Sequence, residues 1–254
     1  MPPYPSLVVD ARLLADAVVD AAVAVVYEAV GLRLARRDVE GEGHGALLAF
    51  SVWWHGLAAT GVLAALLSLL VAVGVHDLGT LETLSFLVAV PFTIGLAGLV
   101  YYLPYLYTGR RTLFIPIVLV YVLYNLLQIA NLMVHPPTGF AIQGWRPTLE
   151  PQAPLPILLS GLVLLLLPPL AAAIAYLLIL RRVSDATTRY RIALVSGSIL
   201  AWLASVLLIS QPALASTDVS QSASRAVVLL SAVALYLAYR PPRFARERWG
   251  VAAL

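Results

Sequence analysis

Residues 113–134 read LFIPIVLVYVLYNLLQIANLMV, a run without one acidic or basic side chain. About 20 apolar residues suffice to carry a helix across the hydrocarbon core of a bilayer. The run is continuous, whereas a membrane strand needs about ten residues of alternating character, and only a helix satisfies its own backbone in lipid. Six further apolar stretches, Leu13–Leu32, Ala46–Gly74, Leu84–Thr108, Leu155–Leu180, Ile192–Ser210 and Ser222–Tyr239, repeat the pattern on either side of it. The chain is 61% hydrophobic and 11% charged, and the stretches leave no segment outside them long enough to bury a core of its own. The sequence therefore predicts an all-α membrane protein, a bundle of seven transmembrane helices over residues 1–239, with a basic juxtamembrane tail over residues 240–254.

Arginine sets the orientation. The connections after spans one, three, five and seven hold Arg33, Arg36, Arg37, Arg110, Arg111, Arg181, Arg182, Arg189, Arg191, Arg240, Arg243, Arg246 and Arg248. The other side holds Arg12, Arg146 and Arg225, the last placed at the outer mouth of span seven. Basic residues flanking spans are retained in the cytoplasm, so the N-terminus is expected outside, the C-terminus inside, and the protein in the plasma membrane. Anionic headgroups account for the net charge of +3 without a nucleic-acid partner, and Arg240–Trp249 reads as a basic anchor at the membrane surface. The first span has no basic leader region and no small-residue cleavage site, and is expected to stay in place.

Several chemistries drop out. With no cysteine there is no disulfide, thiolate metal site or cysteine nucleophile, and with no lysine there is no covalent retinal Schiff base. No zinc-protease helix, phosphate loop or nucleophile elbow occurs, and Asp16 and Asp20 share one helix without a partner acid from another span; no enzymatic activity is expected. His76 and His135 end two spans at similar depth, the arrangement that bis-histidine haem or a copper or zinc site would need. The longest connection, His135–Pro154, holds Pro136, Pro137, Pro147, Pro151 and Pro154, which predict an extended flap without strands.

Polar side chains inside a bilayer are costly and turn toward the bundle interior, so they mark the candidate site. Asp16, Asp20, Tyr27 and Gly31 share one face of span one, while Glu28 lies round the side within reach of Arg33 or Arg36. Tyr121, Tyr124, Asn125, Gln128, Asn131 and His135 form a stripe along span four, and Ser198, Trp202 and Ser205 share a face of span six. Facing one another, these stripes would frame a single cavity between spans one, two, four and six. Its ligand-binding residues are expected to be Asp16, Asp20, Tyr27, His55, Tyr121, Asn125, Gln128 and Trp202, although the same residue types also hold helices together by hydrogen bonds.

Four elements carry a resemblance: the exit of span three, Tyr105-Leu106-Tyr107-Thr108-Gly109-Arg110-Arg111; the end of span four, Asn131 to His135; Arg181-Arg182 with Arg189-Tyr190-Arg191; and Trp53-Trp54 in span two. From span three to the start of span six the pattern is similar to the seven-helix N-terminal sensor region of prokaryotic histidine kinases. The resemblance implies perception within the membrane and output on the cytoplasmic side. No dimerisation helix or phosphoacceptor domain follows before Leu254, so a stand-alone sensor would signal to a separate cytoplasmic partner. A small or lipidic ligand in the bundle is the expected trigger. A non-covalent pigment or haem protein serving a redox complex, and a small-molecule carrier, are the alternatives.

Overall fold

The computed structural model describes residues 10–40, 45–143, 146–150, 154–210 and 217–250. Its helices are α1 (Ala11–Val39), α2 (Ala46–Ala72), α3 (Leu78–Thr108), α4 (Phe114–Val134), α5 (Leu155–Gly161), α6 (Leu167–Leu180), α7 (Ala186–Ser210), α8 (Asp218–Tyr239) and α9 (Arg243–Trp249). A 3-10 turn, Arg111–Leu113, leads into α4, and a π-helical turn, Leu162–Leu166, joins α5 to α6. Among the described residues six helical runs are long and apolar enough to cross a membrane: α2, α3, α4 with its 3-10 turn, α5 through α6, α7 and α8. The chain is an all-α, multi-pass membrane bundle. The remaining long helix, α1, spans 29 residues but carries Asp16, Asp20 and Glu28, which set it apart from those six.

Helix ends follow local chemistry. The Asp10 carboxylate accepts the Arg12 N–H at 2.9 Å to start α1. Asp77 starts α3 by accepting the Thr80 N–H at 2.8 Å and the Thr80 hydroxyl at 2.7 Å. These two bonds hold the Asp77 carboxyl below its usual range. Asp185 does the same for α7 through Thr188, at 2.7 Å, with the same effect on its carboxyl. Gly109 ends α3 at φ 65°, where the left-handed backbone favours glycine.

The helices pack through small residues. A Cβ on Gly56 of α2 would stand 2.5 Å from the Pro91 carbonyl oxygen and 2.6 Å from the Gly95 Cα of α3. One on Gly61 would stand 3.1 Å from the Asp20 carbonyl oxygen of α1. Such close backbone approach is how helices associate where lipid removes the hydrophobic drive. Below these crossings an aromatic core gathers Phe50, Trp53, Trp54, Tyr102 and Tyr176, with Phe50 stacked on Tyr102 at 4.7 Å. Neither Trp53 nor Trp54 finds a hydrogen-bond partner for its indole N–H among the described residues; both rings serve packing.

Helix α8 closes the bundle. Its serines bond to α7 in antiparallel register, Ser231 with Ser198 and Ser224 with the Ser205 carbonyl. Toward α1 the pairs ascend together, Arg225 with Asp20 and Tyr27 with Ser231, so α1 and α8 run parallel.

The connection after α4 departs from the expected extended flap. It folds as an antiparallel ribbon of β1 (Gly139–Gln143) and β2 (Arg146–Glu150), with Ile142 opposite Pro147. Both strands of a two-stranded ribbon are edges, where a proline that offers no N–H is tolerated. Pro151 lies outside the described residues. The ribbon leans on the bundle through Phe140 and Leu149, which pack near Leu13, Val71 and Leu81.

Candidate ligand cavity

Where α1, α2, α3, the π turn, α7 and α8 meet, they line a half-open cavity of about 470 Å³. Asp20 and Tyr27 enter it from α1, Leu57 and Thr60 from α2, Phe92 from α3, Leu165 from the π turn, Trp202 from α7 and Arg225 from α8. Its polar end is an ion triad. The Arg225 guanidinium, 5% exposed, meets Asp16 through Nη2 and Asp20 through Nη1 at 3.2 Å. Asp16 is completely buried behind the cavity wall and accepts the Ser68 hydroxyl of α2 at 2.9 Å. Three helices are thus tied at one point, with Asp20 and Arg225 facing the space and Asp16 withdrawn from it.

Much of the remaining polar lining is committed to the scaffold. Ser205 donates to the Trp202 carbonyl at 2.7 Å, Ser224 to the Ser205 carbonyl at 3.0 Å and Thr60 to the Gly56 carbonyl at 2.8 Å. The Tyr27 hydroxyl pairs with Ser231 at 2.9 Å, and Ser231 donates to the Ser198 carbonyl at 2.8 Å. The floor is aromatic: Trp202 meets Trp53 edge-on at 5.6 Å and Phe92 at 5.6 Å.

The expected residues separate by location. Asp20, Tyr27 and Trp202 line this cavity, and Asp16 lies directly behind it. Span four contributes nothing to it, so the stripes of spans one and four do not frame one space. Gln128 lines a second cavity of about 250 Å³ between α3, α4 and the ribbon, with Glu82, Tyr124, Asn131 and His135. Tyr121 and Asn125 line a third, apolar hollow between α2, α3 and α4. Both also act as struts: the Tyr121 hydroxyl donates to the Leu164 carbonyl at 2.9 Å, and the Asn125 amide donates to Thr93 Oγ1 and to the Tyr121 carbonyl, each at 2.8 Å. His55 lines none of the three; its Nδ1 meets Glu28 at 2.8 Å, which places Glu28 against α2 instead of against Arg33 or Arg36. The two rim histidines have different surroundings. His76 packs on Phe140 at 5.3 Å between ring centroids, while His135 lines the second cavity.

Arg225 is the correction of most consequence. Read as a cation at the outer mouth of span seven, it is instead a buried member of the triad, because α8 starts at Asp218, a full turn before the apolar run. Two signals mark it: one face of α8 repeats Ser220, Ser224, Arg225, Val228, Ser231 and Ala232, and its arginine lies at the depth of the α1 aspartates. No family model, curated protein or solved structure matches the chain.

Proposed function

We propose that the chain is a seven-pass plasma-membrane protein of receptor-like type, N-terminus outside, which binds a small amphiphilic molecule in the α1–α8 cavity and signals to a separate cytoplasmic protein. The observation that carries this reading is the cavity itself, apolar along its walls, charged at one end and bordered by α1, α2, α3, the π turn, α7 and α8. A molecule that fits one packing of those helices better than another shifts the population toward it. Volumes of about 300–1,000 Å³ are typical of small-molecule sites, and this one falls among them. The thirteen arginines of alternate connections support the orientation, and the parallel run of α1 and α8, the first and last of seven spans, supports α1 as a span. The output surface is assigned to the arginine-rich connection before α7 together with the tail. There α9 folds back so that Trp249 lies 6.3 Å from Tyr190 and the Gly250 carbonyl accepts the Thr187 hydroxyl at 3.5 Å.

Leu57→Trp fills the cavity from α2 and tests the reading. The variant is expected to purify and melt like the parent while losing the small molecules that mass spectrometry recovers from the parent. Equal recovery from both proteins contradicts it.

A carrier is the second reading, favoured by one observation. Phe92 and Leu165 line both this cavity and the second one beside the ribbon, a thin partition along one path. Uptake of a bound compound into proteoliposomes separates carriage from reception.

A further inference from the structure

Helix α1 packs on α2 and α8 and leaves one side uncovered. The uncovered positions recur at alternating steps of three and four: Ala15, Val18, Ala22, Val25, Ala29 and Leu32 are all exposed, Val18 at 67% and Val25 at 70%. That is the repeat of about 3.5 residues on which two parallel helices pack as a coiled coil, with alanine at each a position and valine or leucine at each d position. The exposed sides of α4 and α6 differ, since they present Leu119, Leu123 and Leu126, or Ile174, Leu177 and Leu178. Alanine between larger side chains lets two backbones approach closely, which is how helices associate in lipid.

The charges beside this seam complement those of a second copy. Glu28, just before Ala29, holds a g position, and Arg33, just after Leu32, holds an e position. In a parallel pair a g residue reaches the e residue of the next heptad on the other helix. Glu28 of each copy therefore meets Arg33 of the other, twice about a two-fold axis. Within one chain both are free to do so. The Glu28 side chain is 46% exposed and uses Oε2 alone among the described residues, toward His55 at 2.8 Å. Arg33 forms no ion pair among the described residues. A carboxylate within a span is costly to turn toward lipid, and a second copy brings it a guanidinium where lipid does not. Copies inserted in one orientation present α1 in parallel, as the pairing requires.

We propose that the protein is a dimer in the membrane, two copies joined along α1 about a two-fold axis normal to the bilayer, with Glu28 of each paired to Arg33 of the other. The proposal rests on α1 crossing the bilayer and adds the partner that covers its outward side.

The test is oxidative cross-linking of the full chain in its own membranes, which the absence of cysteine permits position by position. Val18→Cys, Val25→Cys and Leu32→Cys are expected to give disulfide-linked dimers in a yield at least about fivefold above that of Leu123→Cys and Leu178→Cys, which are exposed away from the seam. With Val25→Cys in place, Glu28→Arg sets like charges across the seam and is expected to lower the dimer yield at least about fivefold. Adding Arg33→Glu restores opposite charges across the seam but not the bond to His55, and is expected to recover the yield. Seam cysteines that link no better than Leu123→Cys and Leu178→Cys overturn the dimer. Where Ser6→Cys and Glu40→Cys still take an impermeant label from opposite sides of the membrane, the span survives that failure; labelling of both from one side overturns the span and the dimer together. Seam linking that Glu28→Arg leaves intact overturns the charge pairing. The cysteine scan alters no charge and decides the dimer even where Glu28→Arg fails to fold.

Discussion

Arg225 ties α8 to α1 through two carboxylates. Taking a guanidinium and two carboxylates out of water costs several kcal/mol per ion, and their mutual attraction offsets this only while all three stay in register. Removing one partner is therefore worse than removing all. Arg225→Ala, which leaves two carboxylates facing each other one turn apart on α1, is expected to destabilise the fold by about 3–5 kcal/mol. It should appear as aggregated or rapidly melting protein. The triple variant Asp16→Asn, Asp20→Asn, Arg225→Met is expected to melt at or above the parent temperature, and a thermal melt of the three proteins side by side checks the order. An Arg225→Ala protein as stable as the parent would mean that the triad does not hold α1 to α8. At this scale the aspartates were legible, because acids in the middle of an apolar run have few explanations. Their partner was not, because hydropathy dates the start of span seven from Ser222, whereas the cap at Thr217 and the polar first turn of α8 carry the helix further out.

At the scale of the elements, glycine controls how closely α2 approaches its neighbours. Gly56→Val is expected to force α2 away from α3, since even its Cβ would collide with the Pro91 carbonyl and the Gly95 backbone, neither of which can move aside as a side chain would. Overpacking of this kind typically costs about 1–3 kcal/mol or more. Gly197→Ala on α7, where a Cβ meets nothing within 4 Å, is expected to leave the melting temperature unchanged and serves as the control. Equal melting of Gly56→Val and Gly197→Ala would refute the close crossing. The helices themselves were readable from apolar length, and so was the polar stripe of α4. Its division between struts and a separate cavity was not, because periodicity reports which residues share a face but not which neighbour that face meets. The π turn at Leu162–Leu166 runs into Pro168 and Pro169, which offer no N–H to the Leu164 and Leu165 carbonyls; it sets Leu165 between two cavities and leaves the Leu164 carbonyl to accept from Tyr121. The prolines between α4 and α5 would bar a central strand but not an isolated ribbon.

For the whole molecule, the proposed orientation rests on the arrangement of arginines, on a count by connection and not on any contact. The cavity was legible only in part: Asp20, Tyr27 and Trp202 come from polar or aromatic positions that stand out, whereas most of its wall is Val and Leu indistinguishable in sequence from lipid-facing residues. What unites the levels is α1, too acidic to pass as an apolar span; Arg225 and Ser68 meet its carboxylates, which supports the proposal that it crosses the membrane with the other six. The absence of cysteine makes this directly testable. Single cysteines at Ser6 and Glu40, on either side of α1, can be probed with a membrane-impermeant maleimide on intact cells and again after permeabilisation. If α1 crosses the bilayer with the N-terminus outside, Ser6→Cys is labelled on intact cells and Glu40→Cys only after permeabilisation. Both positions labelled together, or both protected together, would contradict a seventh span.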